Sequence, residues 1–391
     1  MIRVRKSHQL ENIMMPIIMI MMVFSYVTIW DVNNIKYFAI ILSLIGMYFK
    51  GSITLERNKI FFYSLLMFIF IVSTLFQPIS ISQKILAIGF YVVLLSWLLF
   101  GYKLITTPNT FLRMAEVMLI AVAVVLFFSV DLINSQLGNI YNIRRRVWGG
   151  FTHANTLGSI CVSGIMFIIC YLVLDNYKSF ERRKKMLILI LLSMFLAVLF
   201  ITKSRTSLAM LIVFVGIVCL PVLKRFEKHS RIISIFTGIV VVIILSYLFL
   251  SEYALNDQAF ILRLNSFNHS SSSLYSFMFG MGMVDARTVQ NSMLSRNSLE
   301  IAWVMIFYKN GLIGLITYLL LFIYTAFAVK KKSLPPKQKV LFWATYFSML
   351  IGSFGEAYII NITNVISMVQ FLLLSVFANN SICENHRGIS L

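Results

Sequence analysis

Thr156-Leu-Gly-Ser-Ile-Cys-Val-Ser-Gly-Ile-Met-Phe-Ile-Ile-Cys-Tyr-Leu-Val-Leu174 runs for nineteen residues without a charged side chain, with Arg144, Arg145 and Arg146 upstream and Lys178 and Arg182 to Lys185 downstream. As a helix it rises about 28 Å at roughly 1.5 Å per residue, close to the ~30 Å of bilayer hydrocarbon. Apolar stretches of the same kind recur near 13–30, 35–49, 60–76, 86–101, 111–134, 186–201, 206–222, 232–250, 299–329, 340–355 and 360–378. They predict an all-α, polytopic membrane helix bundle of about 12 transmembrane helices, one integral membrane domain over 1–391. The stretches at 35–49, 86–101 and 186–201 are short. That at 299–329 is too long for one straight crossing and is interrupted by Lys309, Asn310 and Gly311, so an interfacial helix followed by a span is expected there.

Composition agrees with lipid as the main solvent: 59% of residues are apolar and 12% charged, against about 25% charged in an ordinary soluble domain. A net charge of +20 raises the question of nucleic acid. The basic residues, however, fall in short runs between apolar stretches, whereas tracking phosphates needs a continuous basic face, so no nucleic-acid partner is expected. The opening MIRVRKSHQLE followed by Asn12 to Trp30 has the outline of a signal peptide, yet no small-residue cleavage site follows, and a first spanning helix is expected instead. Cys161, Cys170 and Cys219 lie in apolar runs and Cys383 in the tail, which leaves no disulfide framework and no CxxC pair. The histidines are scattered, and neither a metal site nor a cofactor is expected.

Lysine and arginine placement orients the bundle. Arg3, Arg5 and Lys6; Lys50, Arg57 and Lys59; Lys178 with Arg182 to Lys185; Lys224, Arg225, Lys228 and Arg231; and Lys330 to Lys332, Lys337 and Lys339 all fall on one side when twelve spans are counted. By the positive-inside rule that side is cytoplasmic and holds both termini of a multi-pass protein. The two longest loops on the other side, 135–155 and 251–297, are extracytoplasmic in this reading and carry Arg144, Arg145, Arg146, Arg263, Arg287 and Arg296. The turn between the seventh and eighth spans adds Lys203 and Arg205. Translocation does not favour arginine there. An anionic ligand gripped by planar guanidinium forks is one reason for it, and pairing with Glu252, Asp257, Asp285, Glu300 or lipid phosphates is the other.

Within these loops, Gly150-Phe-Thr-His153-Ala-Asn155-Thr-Leu-Gly158 resembles the G-x-F-x-H-x-N-x-L-G element of the bacterial O-antigen polymerase and O-antigen ligase family. Lys203-Ser204-Arg205-Thr206-Ser207 is similar to that family's S-R-T/S turn, Arg263 with Phe279-Gly-Met-Gly282 to its "R … G-x-G" loop, and Arg296-Asn-Ser-Leu-Glu300 with Gly311-Leu-Ile-Gly314 to its "H/D-N-x-x-E … G-L-I-G-L" segment. The matches follow in family order over 144–318, while the first five spans are similar only in being hydrophobic.

The resemblance implies a GT-C-like glycosyltransferase that works on undecaprenyl-pyrophosphate-linked oligosaccharides at the extracytoplasmic face, alongside membrane lipids, a flippase and a chain-length regulator. Polymerisation of repeat units for an O-antigen or capsule is the expected activity. Family ligases, which move the finished glycan to a lipid A core, carry histidine where this chain has Arg296. A transporter or flippase of lipid-linked sugars is the other alternative, disfavoured because the spans are nearly free of charge and the halves are dissimilar.

Arg205, Arg263, Arg296 and Glu300 are the expected catalytic residues, and Arg145, Arg146, Trp148, His153 and Asn155 the expected substrate-binding ones. A leaving pyrophosphate gains negative charge as the glycosidic bond breaks, and fixed arginines stabilise that charge as a divalent metal does elsewhere. Arg205 precedes a helix whose positive dipole end also favours anions; the plainer reading is an arginine snorkelling at a helix end. His153 reads as a base or as a structural hydrogen-bonding residue, Asn155 as a sugar contact or a helix cap, Trp148 as a stacking platform or an interfacial anchor. Glu300 and Asp285 are the acids close in sequence to the late arginines that could serve as general base, Glu300 reading also as the i,i+4 partner of Arg296, and the Ser270 to Ser273 run reads as a sugar lining or a solvated loop.

Overall fold

In hydrocarbon every peptide N–H and C=O has to find its partner within its own segment or its neighbours, and a helix does this locally. The computed structural model describes residues 2–30, 32, 34–49, 57–137, 146–175, 180–224, 273–282, 302–356, 359 and 361–379. Helices are the regular element throughout them: α1 (Ile2–Phe24), α2 (Ile35–Phe49), α3 (Arg57–Leu75), α4 (Ile81–Phe100) with a 3-10 turn Gly101–Lys103, α5 (Pro108–Phe128), α6 (Val130–Leu137), α7 (Ala154–Leu174), α8 (Arg182–Thr202), α9 (Arg205–Lys224), α10 (Leu274–Phe279), α11 (Ala302–Lys331), α12 (Pro336–Gly355) and α13 (Val365–Ala378). An isolated antiparallel bridge joins Val27 and Phe151.

Five of these stretches are long and apolar enough to cross a membrane: Ile81–Lys103, Pro108–Phe128, Ala154–Leu174, Arg182–Thr202 and Ala302–Lys331. Shorter apolar helices cover Ile13–Phe24, Ile35–Tyr48, Lys59–Leu75, Arg205–Pro221 and Val365–Ala378. The chain is a membrane protein on this ground and on its outward surface, where Phe61, Phe68, Phe127 and Phe200 are each more than 60% exposed, an apolar display that water would penalise and lipid does not. The expected span at 232–250 lies outside the described residues.

Several boundaries differ from the hydropathy reading. The 111–134 stretch is not one helix: α5 stops at Phe128, Ser129 turns its hydroxyl back to the Val125 carbonyl at 2.7 Å, and α6 follows. Gly150 sits against that serine, so the break makes room for the incoming loop. The 13–30 stretch is helical only to Phe24; residues 25–30 turn and are held by the 150–152 segment. The 86–101 stretch starts earlier, at Ile81, because Ser80 and Gln83 form a reciprocal capping box. The expected interruption of 299–329 is present, at Gly311, whose φ of 63° and ψ of −167° are non-helical.

The core is organised around α7, which packs on α5, α8, α9, α12 and α13. Of its most apolar stretch 78% is buried, against 28% for α8; α7 is therefore an interior helix and α8 a peripheral one. α13 is buried from Val365 to Phe377. Because the helices run up and down, the starts of α7, α9 and α13 and the ends of α1, α5, α8 and α12 gather at one end of the bundle. The other end gathers Lys59, Arg182 to Lys185 and Lys330 to Lys332, as the charge pattern predicts.

Candidate functional site

The loop before α7 is an extended strap laid across the end of α1. Thr28 donates its backbone N–H (2.7 Å) and its hydroxyl (2.9 Å) to the Gly150 carbonyl, and Thr152 N–H donates to the Tyr26 carbonyl (2.9 Å). Phe151 is fully buried between them and anchors the strap. Gln136 of α6 accepts the backbone N–H groups of Trp148 (3.0 Å) and Gly149 (3.2 Å). The Tyr26 hydroxyl donates to the Thr363 carbonyl at 2.6 Å, tying this layer to the start of α13; burial pushes its phenol up to about 12, so the donor keeps its proton.

His153 caps α7. Its backbone is extended and its Nδ1 accepts the Asn155 N–H at 3.1 Å. This settles the cap as one role of the side chain, and the ring is exposed beyond it. Asn155 is not the cap: its side-chain oxygen accepts from Arg146 Nη1 at 3.1 Å and its nitrogen donates to Glu356 Oε1. The amide orientation follows from its partners, since flipping it would turn Nδ2 toward a guanidinium and Oδ1 toward a carboxylate. Arg146 is half-buried, and Trp148 remains 37% exposed at the rim.

The second motif arrives from the α8–α9 turn. Lys203 closes α8 in the left-handed region (φ 50°), and the buried Ser204 bonds the buried Ser207 hydroxyl at 2.8 Å, turning the chain into α9 with Arg205 as its first residue. Gly158 is what lets the two motifs touch: a Cβ there would lie 2.7 Å from Ser204 Cβ and 2.9 Å from Ser207 Oγ. Thr206 packs on Gly355, the last residue of α12, immediately before Glu356. Arg205 is half-buried and its guanidinium has no partner among the described residues.

Among the described residues the site end thus joins the positive ends of α7 and α9, Arg146 and Arg205, the Asn155 amide and the Glu356 carboxylate. Sequence reasoning missed Glu356. The signal was present, a single acid directly after an apolar run in a chain with 14 acidic residues, but no motif pointed to it. Arg145, Arg263, Arg296 and Glu300 lie outside the described residues. Among the described residues no three His, Cys, Asp or Glu side chains gather as a metal group.

The two glycine-bearing motifs further along also meet one another. Ser273 caps α10 through a reciprocal bond with Ser276, and Phe279-Gly-Met-Gly282 then lies on the break in α11: Met281 N–H donates to the Tyr308 carbonyl (2.9 Å) and Gly282 N–H to that of Lys309 (2.8 Å). Gly280 and Gly311, both at positive φ, pack backbone against backbone, which no side chain would allow. Gln77, after α3, donates to the carbonyls of Phe279 (3.1 Å) and Lys309 (3.0 Å) and closes the joint. No family model matches the chain, and no curated protein matches it.

Proposed function

We propose that the chain is a glycosyltransferase that joins oligosaccharide repeat units carried on undecaprenyl pyrophosphate into a surface polysaccharide, at the extracytoplasmic face of a bacterial cytoplasmic membrane. The observation that supports this reading is the meeting of the His153/Asn155 element with the Ser204-Arg205-Thr206 turn across Gly158, two polar motifs some fifty residues apart in sequence that the packing of α7 on α9 brings into contact. Both place helix N-termini and arginine at one end of an apolar bundle, an arrangement suited to an anion on a lipid anchor.

In the proposed reaction the acceptor sugar hydroxyl attacks the anomeric carbon of the donor unit. The bond from that carbon to the pyrophosphate oxygen breaks, and the oxygen takes the electron pair. Arg205 and the α9 terminus stabilise the charge that appears there, with Arg263 and Arg296 as the further cations named by the family resemblance. The proton of the attacking hydroxyl passes to a carboxylate. Glu356, held in place by Asn155, is the one the described site offers, and Glu300 the one the resemblance offers. Arg146 fixes the amide of Asn155 and contributes positive potential beside it.

The test uses the purified full-length chain with lipid-linked repeat units in detergent or vesicles. A ladder of products that lengthens in steps of one repeat unit, and that persists in a chelator, is expected. No ladder, with transfer to added lipid A core, would replace polymerase by ligase; no transfer at all would remove the reading. Loss on chelation restored by one divalent ion would remove the arginine-only account of the leaving group.

A further inference from the structure

At the lysine-rich end, away from the candidate site, α3 and α11 line an open cavity of about 520 Å³. Its wall is apolar and aromatic, with Phe62 stacked on Tyr324 at 3.8 Å and Ile323 and Phe327 turned outward beside them. Its mouth is cationic: Lys59 from the start of α3, Lys331 at the end of α11 and Lys332 directly after it all line it, and no carboxylate does among the described residues. Lys332 donates to the Ala378 carbonyl at 3.0 Å, which holds its charge at the rim. A smaller hollow shares Lys59, Ala328 and Lys332 and continues to Asn379.

Snorkelling explains a lysine at the end of any one helix, with the ammonium splayed into water. It does not explain three ammonium groups from two helix ends around one cavity whose floor runs out toward lipid. We propose that this cavity holds an anionic phospholipid, its phosphate among Lys59, Lys331 and Lys332 and one acyl chain along the Phe62–Tyr324 wall. The size fits a small-molecule site, and the sign of the charge selects an anionic headgroup over a zwitterionic one. The inference does not rest on the glycosyl-transfer reading.

Native mass spectrometry of the full chain in detergent, with phosphatidylglycerol and phosphatidylcholine of matched acyl chains, tests it. Phosphatidylglycerol should be retained in preference. Lys331→Gln, at an exposed position that does not threaten folding, should weaken retention about fivefold, the factor expected of one lysine near an anionic headgroup. Lys59→Gln with Lys331→Gln and Lys332→Gln should weaken it further, and Ala328→Trp, which fills the cavity and keeps every cation, should also lose the lipid. Glycerol 3-phosphate, a headgroup without tails, should not displace it. Equal retention of both lipids, or retention unchanged in Lys331→Gln and Ala328→Trp, would overturn the proposal. Displacement by glycerol 3-phosphate would reduce the site to an anion site, and binding seen only after removal of residues 380–391 would make that segment the occupant; either overturns it.

Discussion

Asn155 shows how a motif residue acquires meaning from its partners. In sequence it read equally as a sugar contact or a helix cap. In the structure His153 takes the cap, and Asn155 bridges Arg146 and Glu356. Such a bridge is invisible in one dimension because Glu356 lies at the end of another helix. Arg205 was legible by contrast: a basic residue at the predicted start of a span is found as the first residue of α9. If it only anchors that helix, Arg205→Lys, which keeps charge and reach, should be nearly silent. If it grips the leaving pyrophosphate, loss of the guanidinium fork should cost about 2–4 kcal/mol of transition-state stabilisation, roughly a 30- to 1000-fold fall in rate. We expect the fall, measured as repeat units joined per minute at matched membrane abundance. Arg287→Lys, which matches no motif, is the control and should stay near wild type. A wild-type rate for Arg205→Lys would remove this residue from the site, and an equal fall in both would mean that the site end needs arginines for its fold.

At the scale of the helix, hydropathy found the long apolar helices among the described residues, misplaced their ends, and missed the short α6 and α10. Runs such as 111–134 stay apolar through a break whose cause is tertiary, the approach of Gly150 to Ser129. The capping box that starts α4 was readable as Ser80 and Gln83, but a hydropathy window averages over it. The reverse case is α13, where an apolar run hides a polar anomaly. Gln370 is completely buried, and neither its side-chain oxygen nor its nitrogen has a partner among the described residues. An orphaned buried amide costs about 1–3 kcal/mol, and methionine keeps the volume without the polar atoms. Gln370→Met should therefore raise the thermal unfolding midpoint of the purified protein in detergent. A lower midpoint would show that Gln370 is engaged by a group such as an ordered water, and would turn this position from a defect into a site.

For the whole molecule, the alternation of apolar runs and basic turns was enough to sort helix ends into two groups, because lipid permits little else than helices running up and down. The same pattern also carries the expected orientation, which labelling can test. The lysine end carries Lys59 and Lys330 to Lys332, and the candidate site lies at the other, so the expectation from the positive-inside rule, and the orientation the proposed function needs, is a site facing outward. Leu274, 81% exposed on α10, stands at the site end through the docking of α10 on the first turns of α11. Ser333, exposed in the turn between α11 and α12, stands at the lysine end. In a cysteine-free background, Leu274→Cys should react with an impermeant maleimide added to intact or outer-membrane-permeabilised cells. Ser333→Cys should react only after the cytoplasmic membrane is opened. Labelling of both from outside would mean that the two ends are not separated by the bilayer. Reversed labelling would keep the bundle but turn the Arg205 end toward the cytoplasm, where the proposed extracytoplasmic polymerisation has no access to it, and the functional proposal would fall with the orientation.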